Sequence, residues 1–158
     1  MSQSEKIGRS VDLADLGKRD MRAQFATLPW RRVDGRIELC LITSRDTGRW
    51  IIPKGWPMDG KTPSEAAAIE TFEEAGLRGI ASTRCVGVYT YLKDLDDGPD
   101  LPVLVAVFPL EVTKVLNDWP EADQRSRKWV TLKKAARLVS DRELREILRD
   151  PNLPKLLK

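Results

Sequence analysis

Histidine is absent from the 158-residue chain. That absence removes imidazole metal ligation, histidine-activated nucleophiles and imidazole acid–base chemistry together. Cysteine is scarce: Cys40 and Cys85 are the two. Both fall in strand-like patterns, so they read as buried apolar thiols and not as a disulfide or a reactive centre. No apolar run approaches the roughly 18 residues that a membrane-crossing helix needs, and the opening MSQSEKIGRS lacks the apolar stretch of a secretory leader. The expected location is the cytoplasm, with no membrane partner. Chemistry must then rest on carboxylates, lysines, tyrosines, hydroxyls or a cation held by oxygen, and a carboxylate site suits Mg²⁺ or Mn²⁺.

What is present is globular in character, with 41% hydrophobic and 32% charged residues and a length that suits one domain. Residues 1–24 are polar and charge-mixed and read as an extension, either a frayed arm or a short helix around Asp12 to Arg22. The domain follows over 25–158. The formal charge of +3 is uneven, since from Gln124 to Lys158 eleven Lys/Arg face four acids. A solvated helical face accounts for such a stretch; recruitment of a polyanionic substrate or of nucleic acid are the sharper alternatives.

Strand-like alternation runs from Phe25 to Val33 and through Ile37, Leu39 and Leu41, with Asp34-Gly35 as a tight hairpin turn. Trp50-Ile51-Ile52 is a short strand ended by Pro53. Ile80 to Leu92 and Leu101 to Val112 read as two long strands, the second apolar enough to be central. Trp129-Val130 reads as a returning strand, and Leu132 to Leu138 and Asp141 to Leu148 as helices stopped by Pro151 and Pro154. This order predicts an α/β fold, a mixed sheet with helices on both faces.

The segment Gly55 to Leu77, GWPMDGKTPSEAAAIETFEEAGL, carries the chemistry. Thr62-Pro63-Ser64-Glu65 is an N-cap, a proline at the first helical position and a capping-box glutamate, so a helix is predicted from about Pro63 to Ala75, closed by Gly76. Ala68, Phe72 and Ala75 are its expected packing face. Glu70, Glu73 and Glu74 share another face, where like charges at i,i+4 cost roughly 0.2–0.5 kcal/mol and the helix dipole disfavours acids. An acidic cluster at that end of a helix, with no Lys or Arg inside it, offers oxygen ligands to a hard divalent cation.

The spacing of Gly55, Glu70, Glu73, Glu74, Gly76 and Leu77 resembles the signature segment of Nudix hydrolases. Lys61 departs from it where a glutamate is expected, Ile69 where an arginine is expected, and Thr71 varies an apolar site. The lead-in Trp50-Ile51-Ile52-Pro53-Lys54-Gly55-Trp56-Pro57 is similar to that of bacterial proteins related to diphosphoinositol polyphosphate and diadenosine polyphosphate hydrolases. The resemblance implies a Nudix-type α/β/α sandwich over about Phe25 to Leu148, and metal-dependent hydrolysis of a pyrophosphate bond in a polyphosphorylated small molecule. It also implies Glu70, Glu73 and Glu74 as metal ligands, with the Gly55 carbonyl beside them. The water-activating base stays open, Glu70 first and Glu121 second. Arg31, Arg32, Arg45, Arg49, Lys54 and Lys61 are candidates to neutralise phosphate, Lys54 foremost because it adjoins Gly55, and Trp56 to stack on a base or line the pocket. Two rivals stand beside this reading: a weakened Nudix-fold binding or sensing module, and nucleic-acid binding through the basic C-terminal region. A monomer or a homodimer is equally compatible.

Overall fold

The computed structural model describes residues 22–95 and 98–158. The N-terminal helix reading around Asp12 to Arg22 lies outside the described residues, apart from Arg22 itself. Eight strands, β1 (Arg22–Val33), β2 (Arg36–Thr43), β3 (Trp50–Ile51), β4 (Lys54–Gly55), β5 (Leu77–Ala81), β6 (Gly87–Lys93), β7 (Leu101–Val115) and β8 (Arg127–Thr131), form one mixed sheet. The helices among the described residues are α1 (Pro63–Ala75), α2 (Leu132–Leu138), α3 (Arg142–Arg149) and α4 (Leu153–Leu156).

The β1–β2 hairpin turns on Asp34 and Gly35 with φ of 52° and 78°. Both central residues of a tight primed turn need positive φ, which Asp-Gly supplies with little strain. Its strand starts at Arg22, ahead of the Phe25 start read from the sequence. Strand β7 is central as its apolar run predicts. It pairs in parallel with β1, from Arg22↔Val103 to Trp30↔Glu111, and antiparallel with β5 and β6 along its other edge.

The long strand expected over Ile80 to Leu92 is two strands, β5 and β6. Ser82 breaks it, its hydroxyl accepting from the Arg84 amide at 3.1 Å, a local turn that competes with sheet pairing. Cys85 falls in that gap and is exposed, which corrects its reading as a buried strand residue, while Cys40 is fully buried.

Alternation along the strands separates two cores. Ala26, Leu28 and Trp30 of β1 and Leu39 and Leu41 of β2 face Ala135, Ala136, Leu144, Leu148 and Leu153 of α2 to α4. Cys40 and Ile42 point the other way, toward Ala75 and Leu77. The sheet is therefore covered on both faces, with α1 on the second. Its buried residues are Ser64, Ala66, Ala67, Thr71, Glu74 and Ala75, so Ala75 of the expected face holds, while Ala68 and Phe72 are only half-buried. Thr71 explains the shift: its hydroxyl lies 2.6 Å from that of Thr27 on β1 and bonds the Ala67 carbonyl at 2.7 Å, so a polar pair is satisfied inside the interface. Phe72 is turned outward, under the Arg78 guanidinium at 4.1 Å.

Candidate active site

Helix α1 begins as its sequence dictates. Thr62 Oγ1 accepts from the Glu65 amide at 3.3 Å and Glu65 Oε1 accepts from the Thr62 amide at 2.9 Å, a complete capping box. Gly76 ends it in the left-handed region at φ 67°. With both ends fixed, Glu70 and Glu74 are presented one turn apart toward the sheet.

They meet β4 there. Lys54 and Gly55 pair with Ala26 and Phe25 of β1, and the Lys54 amide donates to Glu74 Oε1 at 3.3 Å. A side chain on Gly55 would overlap the Glu70 carboxyl. Gly55 is thus glycine because Glu70 lies against it, a closer constraint than the phosphate approach its position suggests. Burial pushes the Glu74 carboxyl up to about 8, opposed by Arg125 and reinforced by Glu70. Burial also raises Glu70, against its hydrogen bond to Glu74. Two desolvated carboxyls this close disfavour carrying two negative charges at once when no cation is present.

One cavity is lined by Lys54, Gly55, Trp56, Glu70, Glu74, Glu121 and Arg45, all anticipated, and by Gln24, Tyr91, Lys93 and Arg125, which were not. An adjoining cleft shares Lys54, Tyr91 and Lys93 and adds Arg49 and Asp141. Asp141 occupies the N-cap of α3 without capping it; its carboxyl is raised by burial and drawn down by Lys54 and Arg49. Burial lowers the Lys54 ammonium, with Asp141 and Glu74 opposing. Its Nζ sits 5.2 Å from the centre of the Tyr91 ring, whose hydroxyl donates to Gln24 Oε1 at 2.7 Å. Lys54 therefore stands where the two spaces join.

Other candidates lie elsewhere. Arg31 pairs with Glu38 at 2.9 Å and stacks on Trp129 at 3.8 Å, and Arg32 donates to the Leu157 carbonyl at 3.1 Å, so Arg31 serves the sheet and Arg32 its far face. Lys61 is exposed near Glu65 and outside the cavity lining. Glu73 is also outside that lining; its backbone carbonyl accepts from the Glu121 amide at 3.1 Å.

That last bond belongs to a clamp. The final carbonyls of a helix lack internal partners, and the segment 116–127 supplies them: Trp119 Nε1 donates to Glu74 O at 3.0 Å, Arg127 Nη1 to Ala75 O at 2.7 Å, and the Leu116 amide to Gly76 O at 2.9 Å. A side chain on Gly76 would come within 2.6 Å of the Trp119 ring. Arg127 also brings to the helix C-terminus the positive charge that α1 itself lacks. Arg125 completes the segment, its Nε 2.8 Å from Glu121 Oε1 and its Nη2 3.8 Å from Glu74 Oε2. The i,i+4 spacing of Glu121 and Arg125 is a sequence signal for this pair; nothing local signals Gln24 or Tyr91, which arrive from separate strands.

The donors around Glu70 and Glu74 are all oxygens, a set that fits a hard divalent cation. Among the described residues no three carboxylates converge at ligand distance, since Arg125 stands between Glu74 and Glu121 as their counter-ion.

A mixed sheet between helices, with an acid pair on helix α1 of its second face and cations around the adjoining cavity, defines a class of α/β domain. The chain belongs to the NUDIX domain family, whose model matches residues 22–150. It is 34% identical over 121 residues to "Nudix hydrolase 12, mitochondrial" of Arabidopsis thaliana, covering 72% of this chain and 60% of that protein. It is 32% identical over 103 residues to mouse "Diphosphoinositol polyphosphate phosphohydrolase 3-alpha", covering 64% of this chain and 58% of that one. The chain thus spans less than two thirds of either relative's length. A solved C. elegans Ap4A hydrolase binary complex superposes with a TM-score of 0.64 at 22% identity, over 85% of this chain and 98% of that one, a likeness of fold.

Proposed function

We propose that the chain hydrolyses a pyrophosphate bond in a highly phosphorylated small molecule, using Mg²⁺ or Mn²⁺. A diphosphoinositol polyphosphate or a dinucleoside polyphosphate is favoured, with a nucleoside diphosphate derivative as a further substrate class. Membership of the family and the hydrolase names of the relatives support the reaction class. The observation that carries the reading is the desolvated Glu70–Glu74 pair, set against Gly55 and facing a cavity that also holds Lys54, Arg45 and Lys93.

Glu70 and Glu74 would hold the cation, with the Gly55 carbonyl beside them; Glu73, the third ligand that the family resemblance implies, lies outside the cavity lining. When bound, that cation supplies Lewis acidity toward a phosphate oxygen and acidifies water. Glu70 is the favoured proton acceptor for the attacking water, because burial raises its proton affinity while Glu121 is tied to Arg125 and Arg45. Lys54, Arg45 and Lys93 neutralise the charge of the phosphate chain, and Arg49 extends that field into the adjoining cleft. Trp56 is exposed at the mouth, placed to wall a bound substrate.

The deciding experiment is a panel of polyphosphorylated substrates with and without Mg²⁺, both products identified by mass spectrometry. Metal-dependent cleavage of one phosphoanhydride supports the reading; intact substrates throughout would overturn it. The binding-module alternative draws support from Arg125, which already neutralises part of the acid cluster. It predicts saturable ligand binding without products. Nucleic-acid binding loses ground because Arg125, Arg127 and Arg145 of the basic region donate to internal acceptors.

A further inference from the structure

Arg125 is the most highly connected cation of the cavity. Its side chain is 7% exposed, and three of its nitrogens are engaged on three different segments. Nε donates to Glu121 Oε1 at 2.8 Å, Nη1 donates to the Thr43 carbonyl at 3.0 Å, and Nη2 faces Glu74 Oε2 at 3.8 Å. A planar guanidinium fixes several acceptors in one geometry, which an ammonium cannot do. Helix α1 has no basic side chain in its last turn, and Ile69 cannot form a charge-assisted hydrogen bond to any neighbouring acid. Arg49 faces Asp141 in the adjoining cleft and Lys61 is solvent-exposed, so neither takes the task.

We propose that Arg125 is the positioning residue of this site, holding Glu74 and Glu121 in register across the cavity from the loop before β8. The effect on rate rests on the hydrolase reading above; the effect on cation binding does not. Two consequences oppose each other. A fixed positive charge beside Glu74 competes with a divalent cation for the same oxygens, yet it also keeps Glu74 where the reaction needs it, with Glu121 and the Thr43 carbonyl as its anchors. Its removal should therefore tighten cation binding while slowing turnover, a divergence that a residue serving only the fold would not produce.

The test uses the full chain with Arg125→Gln and Arg125→Lys. Mn²⁺ affinity is measured without substrate by electron paramagnetic resonance, alongside steady-state hydrolysis of the best panel substrate and thermal melting. Arg125→Gln is expected to bind Mn²⁺ at least about twofold more tightly. Its kcat should fall by at least about 10-fold with KM within about twofold. Arg125→Lys should lie between, since an ammonium keeps the charge but cannot span three acceptors. Parent-like kcat in folded Arg125→Gln would overturn the proposal, as would a raised KM with kcat intact, the mark of a substrate contact. Mn²⁺ affinity, kcat and Tm falling together would reduce Arg125 to a clamp of the fold. Should the parent hydrolyse nothing, the hydrolase reading fails, and the Mn²⁺ arm still decides: tighter binding in Arg125→Gln upholds the competition, unchanged or weaker binding ends it.

Discussion

Glu74 is a carboxyl withdrawn from water, and the protein's response to pH should show it. Its folded-state pKa of about 8 lies above the ordinary 4.5, so its contribution to stability is complete below the ordinary value and is lost as pH rises through about 8. Glu70 shifts in the same direction. Without divalent cations the melting temperature should therefore decline between roughly pH 4.5 and 8. Glu74→Gln should flatten that decline, and added Mg²⁺ should reverse it at the alkaline end; a melting series in which neither change alters the slope would refute the assignment. On activity, Glu74→Gln is expected to cut turnover by at least about 100-fold through loss of a ligand charge. Glu73→Gln should cost less, because Glu73 lies outside the cavity lining. Lys54→Ala should raise KM more than it lowers kcat, with binding weakened further by salt, as expected of a charge contact made equally in ground and transition states. An unchanged KM for the best substrate would remove Lys54 from recognition.

The hold of α1 on the sheet is partly polar, and that makes a specific mutational cycle informative. Thr71→Val strands the Thr27 hydroxyl in the interior, which should cost about 1–3 kcal/mol, whereas Thr27→Val with Thr71→Val removes both partners and should cost markedly less than the sum of the single changes. Additive losses in urea melts would show that the hydroxyls do not depend on each other. The bounds of α1 were legible in the sequence because Thr62, Pro63, Glu65 and Gly76 are local signals that act within one turn. Its packing face was not, because the choice between Thr71 and Phe72 is made by Thr27, a residue of another strand. The same divide runs through the cavity. Glu70 and Glu74 could be read from spacing on one helix, while Arg125, Gln24 and Tyr91 converge only through pairing of β1, β6 and β7 and the clamp over 116–127. Ser82 was a signal that the reading of one long strand from Ile80 to Leu92 passed over.

The C-terminal basic stretch shows why a net charge is a poor guide to an interface. Arg145 donates to the Ala136 and Val139 carbonyls, and Arg127 to the end of α1, so charges that look free along the chain are committed once it folds. Arg127→Ala should accordingly lower the melting temperature and quicken amide exchange at the end of α1 and over 116–127, while hardly altering retention on nucleic acid at physiological salt. Loss of such retention would restore the basic stretch to the list of binding surfaces.

The parallel pairing of β1 with β7 also sets an order in time. Arg22 finds its neighbour at Val103, roughly 80 residues later in synthesis, which at about 5–20 residues per second is on the order of 4–16 s of translation. During that interval β1 can form its hairpin with β2, but its other edge must wait, open to any strand that meets it. The acid helix and its cap are therefore made before the wall opposite them exists. The cavity closes only when β7, and after it the segment carrying Arg125, has left the ribosome.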